Sequence, residues 1–176
     1  MDPKEEAARD RCDELAPRVV ERASGLGVKV SFAESLTAGL IAATVADIPG
    51  ASNVLLGSAV TYCDEIKHRV LDVSQQTLLE HSAVSHECAR EMAKGSRALY
   101  RSDIAVSATG YAGPGGGTDE DPAGTFYLGL SVSSDLFGEQ GERSFRYTFE
   151  GSRTFVRLMA VQEALKIVLD CLDSLK

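Results

Sequence analysis

The sequence contains no tryptophan, 6% aromatic residues, four cysteines without a CxxC pair, and three histidines without HExxH or HxH spacing. Each shortage excludes something. Cys12, Cys63, Cys88 and Cys171 are too scattered for a zinc cluster or a disulfide framework, so reduced thiols are expected. His68, His81 and His86 lack the spacing of a helical metal motif, so no metal and no cofactor are expected. Basic residues are outnumbered, 18 Lys and Arg against 26 Asp and Glu, for a net charge of −8. A chain that neutralises many phosphates needs the opposite balance, so nucleic acid is not an expected partner. No apolar run approaches the roughly 20 residues of a membrane span, and the opening MDPKEEAARD is polar and acidic, unlike a signal or transit segment. The expectations are no membrane contact and a cytoplasmic location.

What is present suits an ordinary α/β domain. At 176 residues and 44% hydrophobic composition, such a chain buries roughly 70% of its unfolded surface and needs no disulfide or structural metal. No repeat or linker interrupts it, so residues 1–176 are read as a single domain. Ala8, Cys12, Leu15, Val19 and Leu26 recur at helical spacing, with Pro17 predicting a kink or a late start and Gly25 and Gly27 an end. Val28, Val30 and Phe32 alternate as a strand. Leu40, Ile41, Thr44 and Val45 return to helical spacing, and Val54 to Tyr62 reads as a buried strand. From Ser85, Ala89, Met92, Ala93 and Leu99 form the stripe of a helix ending near Tyr100. Ile104, Val106 and Ala108 alternate again, GTFYLGLSVSS and RSFRYTF follow as strands, and a long helix closes the chain with Phe155, Leu158, Met159, Leu165, Leu169 and Leu172 apolar. This order predicts a three-layer α/β/α arrangement with a mixed sheet and helices on both faces.

Three segments carry chemistry. Gly110 to Gly117 holds five glycines in eight positions directly after a predicted strand. Their backbone N–H groups can converge on an anion, although a glycine run also serves as a plain connector. It is neither a Walker A loop nor a dinucleotide fingerprint. AESLTAG, Ala33 to Gly39, ends a strand and opens a helix with hydroxyls at Ser35 and Thr37, a place that attracts anions or is simply N-capped. Glu34 looks buried there and needs a partner. The stretch from Pro49 to Lys67 supplies Ser52, Tyr62 and Lys67. A buried lysine of lowered pKa can take a serine proton with a tyrosine assisting, though a lone lysine also fits surface ion pairing.

Together ESLTAG, PGAS, YCDEIK, TGYAGPGGG and PAGT, closed by GSRTFVRLMAVQEAL, resemble the CinA carboxy-terminal domain family, described as nicotinamide mononucleotide deamidases, over about residues 10 to 172. The resemblance implies hydrolysis of the carboxamide to a carboxylate and ammonia by a serine amidohydrolase without metal. By position it puts the nucleophile at Ser52, with Ser35 as the second candidate, the general base at Lys67 and the assisting tyrosine at Tyr62. It implies a pocket with hydroxyls at Ser35 and Thr109. A mononucleotide phosphate is then expected on Gly110, Gly113, Gly115 and Gly116 or on the helix start near Thr37, helped by Arg153. The chain departs from the family pattern at Ala38, Cys63 and Asp64, where Gly, Ser and Asn are usual. Asp64, three residues from Lys67, is expected to favour the charged lysine. A homo-oligomer is expected from the habits of small α/β enzymes. Two rival readings stand beside it: a nucleotide- or phosphate-binding module without turnover, and a competence-related interaction protein.

Overall fold

Residues 2–175 are described by a computed structural model, and its strands follow the alternation of the sequence. β1 (Val30–Glu34), β2 (Leu55–Val60), β3 (Ile104–Gly110), β4 (Thr125–Val132) and β5 (Arg143–Thr148) form one sheet in the order β2-β1-β3-β4-β5. β1 runs parallel to β2 and β3, and β4 is antiparallel to β3 and β5, so the sheet is mixed. Among the described residues seven α-helices accompany it: α1 (Pro3–Leu26), α2 (Leu40–Ala46), α3 (Asp64–Leu71), α4 (Gln75–Glu80), α5 (His86–Tyr100), α6 (Ser134–Phe137) and α7 (Arg153–Ser174).

One face of the sheet presents Val30, Phe32, Ile104, Val106, Phe126 and Leu128 to α1, α2 and α7 in the main core. The burial of such side chains contributes about 25 cal/mol per Å² of apolar surface, which makes this the dominant stabilising layer. Here the sequence reading needs one correction. α1 runs through Pro17 as one helix and begins at Pro3, capped by Asp2. Its buried stripe of Ala8, Cys12, Leu15, Ala16, Val19, Val20 and Ala23 packs against α7, enough to offset the roughly 3 kcal/mol that an interior proline costs.

The opposite face is covered by α3 and α5, and its strand residues are small: Ser31, Ala33, Ala105, Ser107 and Gly129. Small residues let α5 come close. Ser107 Oγ donates to the Ala89 carbonyl at 2.6 Å and accepts from the Gly129 amide at 3.1 Å, tying helix to sheet. A Cβ at Gly129 lands 2.0 Å from that same carbonyl. Gly129→Ala is therefore expected to destabilise the fold by about 3 kcal/mol through overpacking, read as a lower denaturant midpoint.

Two further expectations are revised. The segment Val54 to Tyr62 is not a buried strand: β2 is an edge strand with alternating exposure. Leu99 is half exposed rather than part of the α5 stripe, whereas Ala89, Met92 and Ala93 are buried. In α7 Leu158, Leu165, Leu169 and Leu172 are buried as expected, while Phe155 and Met159 are partly covered. The three parallel strands all end on one side of the sheet, where doubly wound folds place their ligands.

Candidate functional site

Ser35 is the first residue beyond β1, and its amide donates to the Ala108 carbonyl at 2.9 Å, so the β1–β3 ladder fixes where it sits. Lys67 comes from α3, which follows β2 and folds back over the sheet's end. Lys67 Nζ lies 3.1 Å from Ser35 Oγ and donates to the Thr61 carbonyl at 2.9 Å. The lysine is 1% exposed and Ser35 8%. Surface ion pairing is thereby excluded as the role of Lys67: no carboxylate among the described residues reaches its ammonium. Burial strips the ammonium of water and lowers the Lys67 pKa, outweighing the upward pull of Cys88, Asp64 and Cys63. Asp64 acts in the expected direction, but desolvation wins.

Glu34 finds its partner in the next helix. Its buried carboxylate accepts from the amides of Ile41 and Ala42, each at 3.0 Å, and from Ser58 Oγ at 2.9 Å. The first amides of α2 are thus occupied by the chain's own anion, so the helix start is not a free phosphate seat. Thr37 does not line the cleft; its hydroxyl is buried without a partner, and its carbonyl accepts from Arg157 at 2.8 Å. Arg157 also donates to the Leu36 carbonyl at 3.0 Å and braces the turn after Ser35. Within that turn Ala38 adopts φ 51°, a left-handed conformation costing a residue with Cβ about 1–2 kcal/mol. Ala38→Gly is expected to raise stability by about 0.5 kcal/mol, after the entropy glycine adds to the unfolded chain, as a higher melting temperature.

A cleft of about 230 Å³ opens over the pair, and Ser35, Tyr62, Lys67, Thr109, Gly110, Gly115 and Arg153 all line it. Arg153 opens α7 and donates to the Tyr62 hydroxyl at 2.9 Å and to the Gly113 carbonyl at 3.2 Å, joining the tyrosine to the glycine loop. Thr109 Oγ1 donates to the Ala83 carbonyl at 2.6 Å. Gly113 and Gly116 take φ of 76° and 84°, values that favour glycine. The amides of Ala112, Gly113, Gly115 and Gly116 donate to no acceptor among the described residues, and neither do those of Leu36 and Thr37. Gly113 and Gly116 themselves lie outside the cleft lining.

Ser52 is not part of this assembly. It is exposed in a single 3-10 turn, Ala51–Asn53, before β2 begins, whereas Tyr62 and Lys67 come after β2 ends. Six residues of strand carry the chain about 20 Å between those ends, so Ser52 lies far from the lysine of its own chain. The cleft also contains Asp64, Leu36, Tyr111 and Ala112, of which only Asp64 drew notice in the sequence. Arg157 was missed, although its place four residues after Arg153 puts both on one side of α7.

Among the described residues no group of three or more His, Cys, Asp or Glu side chains is placed to hold a metal ion. No described helix is long and apolar enough to cross a membrane. All four cysteines are free, three buried and Cys63 exposed.

A serine held against a buried lysine, at the ends of parallel strands and under a glycine-rich loop, defines a three-layer α/β domain with a serine–lysine site. The chain belongs to the CinA C-terminal domain family, which it matches over residues 12–172. A CinA-like protein of Geotalea uraniireducens is 47% identical over 133 residues, 76% of this chain and 30% of that protein. The chain spans roughly a third of the length of such curated relatives. Among solved structures, the competence-damaged protein (CinA) superfamily protein of Klebsiella pneumoniae superposes with a TM-score of 0.85 at 34% identity, covering 93% of this chain and 98% of that one. The competence/damage inducible protein of Agrobacterium tumefaciens gives 0.83 at 36% identity, covering 93% and 96%.

Proposed function

We propose that this chain is an amidohydrolase that converts nicotinamide mononucleotide and water to nicotinate mononucleotide and ammonia, with Ser35 as the nucleophile. The observation that carries this reading is the Lys67–Ser35 pair: a buried lysine with lowered pKa, no carboxylate partner, and a hydroxyl 3.1 Å away.

In its uncharged form Lys67 accepts the Ser35 proton, and the alkoxide attacks the carboxamide carbon. The C–O bond forms while the carbonyl electron pair moves onto oxygen, where the unpaired Leu36 amide stabilises it. Collapse breaks the C–N bond. Tyr62, whose oxygen already accepts from Arg153, keeps its own O–H free to protonate the leaving nitrogen. The proton that Lys67 took from Ser35 passes by way of cleft water to Tyr62, which restores both groups. Water then attacks the acyl-serine with Lys67 as base, and Lys67 returns that proton to Ser35 as the C–O bond to the serine breaks and the acid leaves as its carboxylate, its proton going to solvent. Thr109, its proton committed to Ala83, accepts from the carboxamide. The phosphate rests on the free amides of the glycine loop and on Arg153, so a local concentration of donors overcomes the net charge of −8.

Ammonia release from nicotinamide mononucleotide, nicotinamide riboside and nicotinamide tests the reading. The mononucleotide is expected to be hydrolysed, and the riboside to lose about 10- to 100-fold in kcat/KM with its charge-assisted phosphate contacts. Calorimetric binding of the mononucleotide without ammonia release would instead favour the silent binding module. Because Asp64 pulls the Lys67 pKa upward, Asp64→Asn is expected to move the acid limb of the pH–rate profile to lower pH. A limb that moves upward contradicts the assignment of Lys67 as the base.

A further inference from the structure

The glycine loop leaves the sheet at Gly110 and returns at Thr125, and it is held at three places. At its neck the Tyr111 amide donates to the Thr125 carbonyl at 2.8 Å and the Gly124 amide to the Tyr111 carbonyl at 2.7 Å. Past the glycines the chain folds back, with the Thr118 amide donating to the Asp121 carbonyl at 2.8 Å and the Asp121 amide to Thr118 Oγ1 at 2.9 Å. The Asp121 side chain fastens this returning arm to the sheet. Tyr127 Oη donates to both of its carboxylate oxygens, at 2.9 and 3.0 Å, and Arg146 Nε donates to Oδ1 at 2.9 Å. Arg146 Nη2 also donates to the Glu120 carbonyl at 2.8 Å.

Sheet register places these groups. Thr109 of β3 is the cross-strand partner of Tyr127 on β4, and Tyr127 is the partner of Arg146 on β5, so the three side chains form one row on one face. Thr109 lines the cleft at one end of the row, and Arg146 stands on the edge strand at the other. Tyr127 is buried and fixed from α5, where the His86 ring meets it edge-on with centroids 4.7 Å apart. An isolated surface ion pair contributes little. Here the Asp121 side chain is only 17% exposed and accepts from two donors already held by the sheet, the arrangement in which charge-assisted hydrogen bonds are strongest.

We propose that Asp121 is a positioning residue for the substrate's phosphate: clamped by Tyr127 and Arg146, it holds the loop so that the free amides of Ala112, Gly113, Gly115 and Gly116 stay converged on one anion. This role rests on the amidohydrolase reading of the cleft and adds to it the residue that sets the preference for a phosphorylated substrate. Glycine loses more conformational freedom on ordering than any other residue, so a loop with five in eight positions converges only when both of its arms are fixed from outside. Arg153 fixes the outgoing arm through the Gly113 carbonyl at 3.2 Å, and Asp121 fixes the returning one. The ion pair has a second effect. Asp119, Glu120 and Asp121 bring three carboxylates to a loop that receives an anion, and Arg146 neutralises the one folded back onto the sheet. Ser35, Lys67 and Tyr62 take no support from this clamp, since the β1–β3 ladder, α3 and Arg153 hold them.

The test compares the wild type with Asp121→Ala and with Arg146→Met, which breaks the same contact from the edge strand at a side chain 39% exposed, once circular dichroism shows the fold unchanged. Each variant is expected to raise KM for nicotinamide mononucleotide about 5- to 10-fold with kcat nearly unchanged, and to leave the riboside, which has no phosphate, at its wild-type kcat/KM. Tyr127→Phe keeps the ring against His86 and loses one donor, so its KM is expected to fall between. A merely structural clamp would shift both substrates alike. Without any substrate, amide hydrogen exchange across residues 111–124 is expected to quicken about tenfold in Asp121→Ala. A wild type that binds the mononucleotide but releases no ammonia ends the amidohydrolase reading, and the same comparison of mononucleotide with riboside, made in Kd by calorimetry, then decides the clamp. Unchanged loop exchange in Asp121→Ala, or a mononucleotide preference that stays at the wild-type value, overturns the proposal, as does a wild type that binds neither ligand.

Discussion

Ser35→Ala is expected to lower kcat for ammonia release from nicotinamide mononucleotide by about 10⁴-fold or more, the scale seen when a nucleophile working with its base is removed. The substrate still meets the glycine loop and Arg153, so KM is expected to change little. Ser52→Ala is expected to keep kcat within about tenfold, because no proton acceptor in its own chain reaches that hydroxyl. Both changes remove one oxygen from a serine near the sheet, so the difference between them isolates proximity to Lys67. Steady-state rates at fixed pH, with acyl-enzyme trapped by rapid acid quench and detected by mass, make the comparison. The serine assignment fails if Ser35→Ala turns over at the wild-type rate or if the trapped adduct maps to Ser52.

The choice between the two serines shows where sequence stops being informative. Lys67 is 15 positions from Ser52 and 32 from Ser35, so chain distance favours the hydroxyl that the fold keeps apart from the lysine. β2 intervenes in the shorter path and carries the chain away, whereas β1 and β2 lie side by side and end together. Position on parallel strands, not separation along the chain, decides which groups meet. The strands, by contrast, were legible: Val28, Val30 and Phe32, then Ile104, Val106 and Ala108, alternate because only one face of each meets the α1–α7 layer. β2 was misjudged because an uncharged run reads alike whether a strand is buried between helices or lies at an unprotected edge. Pro17 misled for a related reason, since local backbone cost is visible in sequence and the packing that offsets it is not.

Glu34 illustrates how the site depends on the fold around it. Its carboxylate holds Ile41, Ala42 and Ser58, linking β1, α2 and β2 at the level of Ser35. Arg157 holds the turn from the other side through the Leu36 and Thr37 carbonyls. These two charged anchors leave the Leu36 amide unpaired beside the serine. A site preorganised in this way spends its ordering cost during folding rather than during reaction.

Lys67→Met is expected to reduce the same hydrolysis by about 10²–10⁴-fold, the usual worth of a positioned general base, and Lys67→Arg is not expected to rescue it, because a guanidinium stays protonated. Stability supplies a second readout, which reports the lowered pKa itself. The folded-state pKa of Lys67 lies below the 10.5 of the free side chain, so between those two values the unfolded chain holds a proton that the folded chain lacks. Stability therefore rises with pH across that window, and below it the fold carries the full cost of a buried ammonium. Methionine removes this cost but leaves Ser35 Oγ and the Thr61 carbonyl without their donor, a loss of about 1–3 kcal/mol. The two effects oppose each other at neutral pH, so the absolute stability of the variant is a poor guide. The slope is the better one: denaturant unfolding from pH 7 to 10.5 is expected to show rising stability for the wild type and a weaker rise for Lys67→Met. Equal slopes together with retained ammonia release would mean that Lys67 keeps its proton throughout and takes none from Ser35.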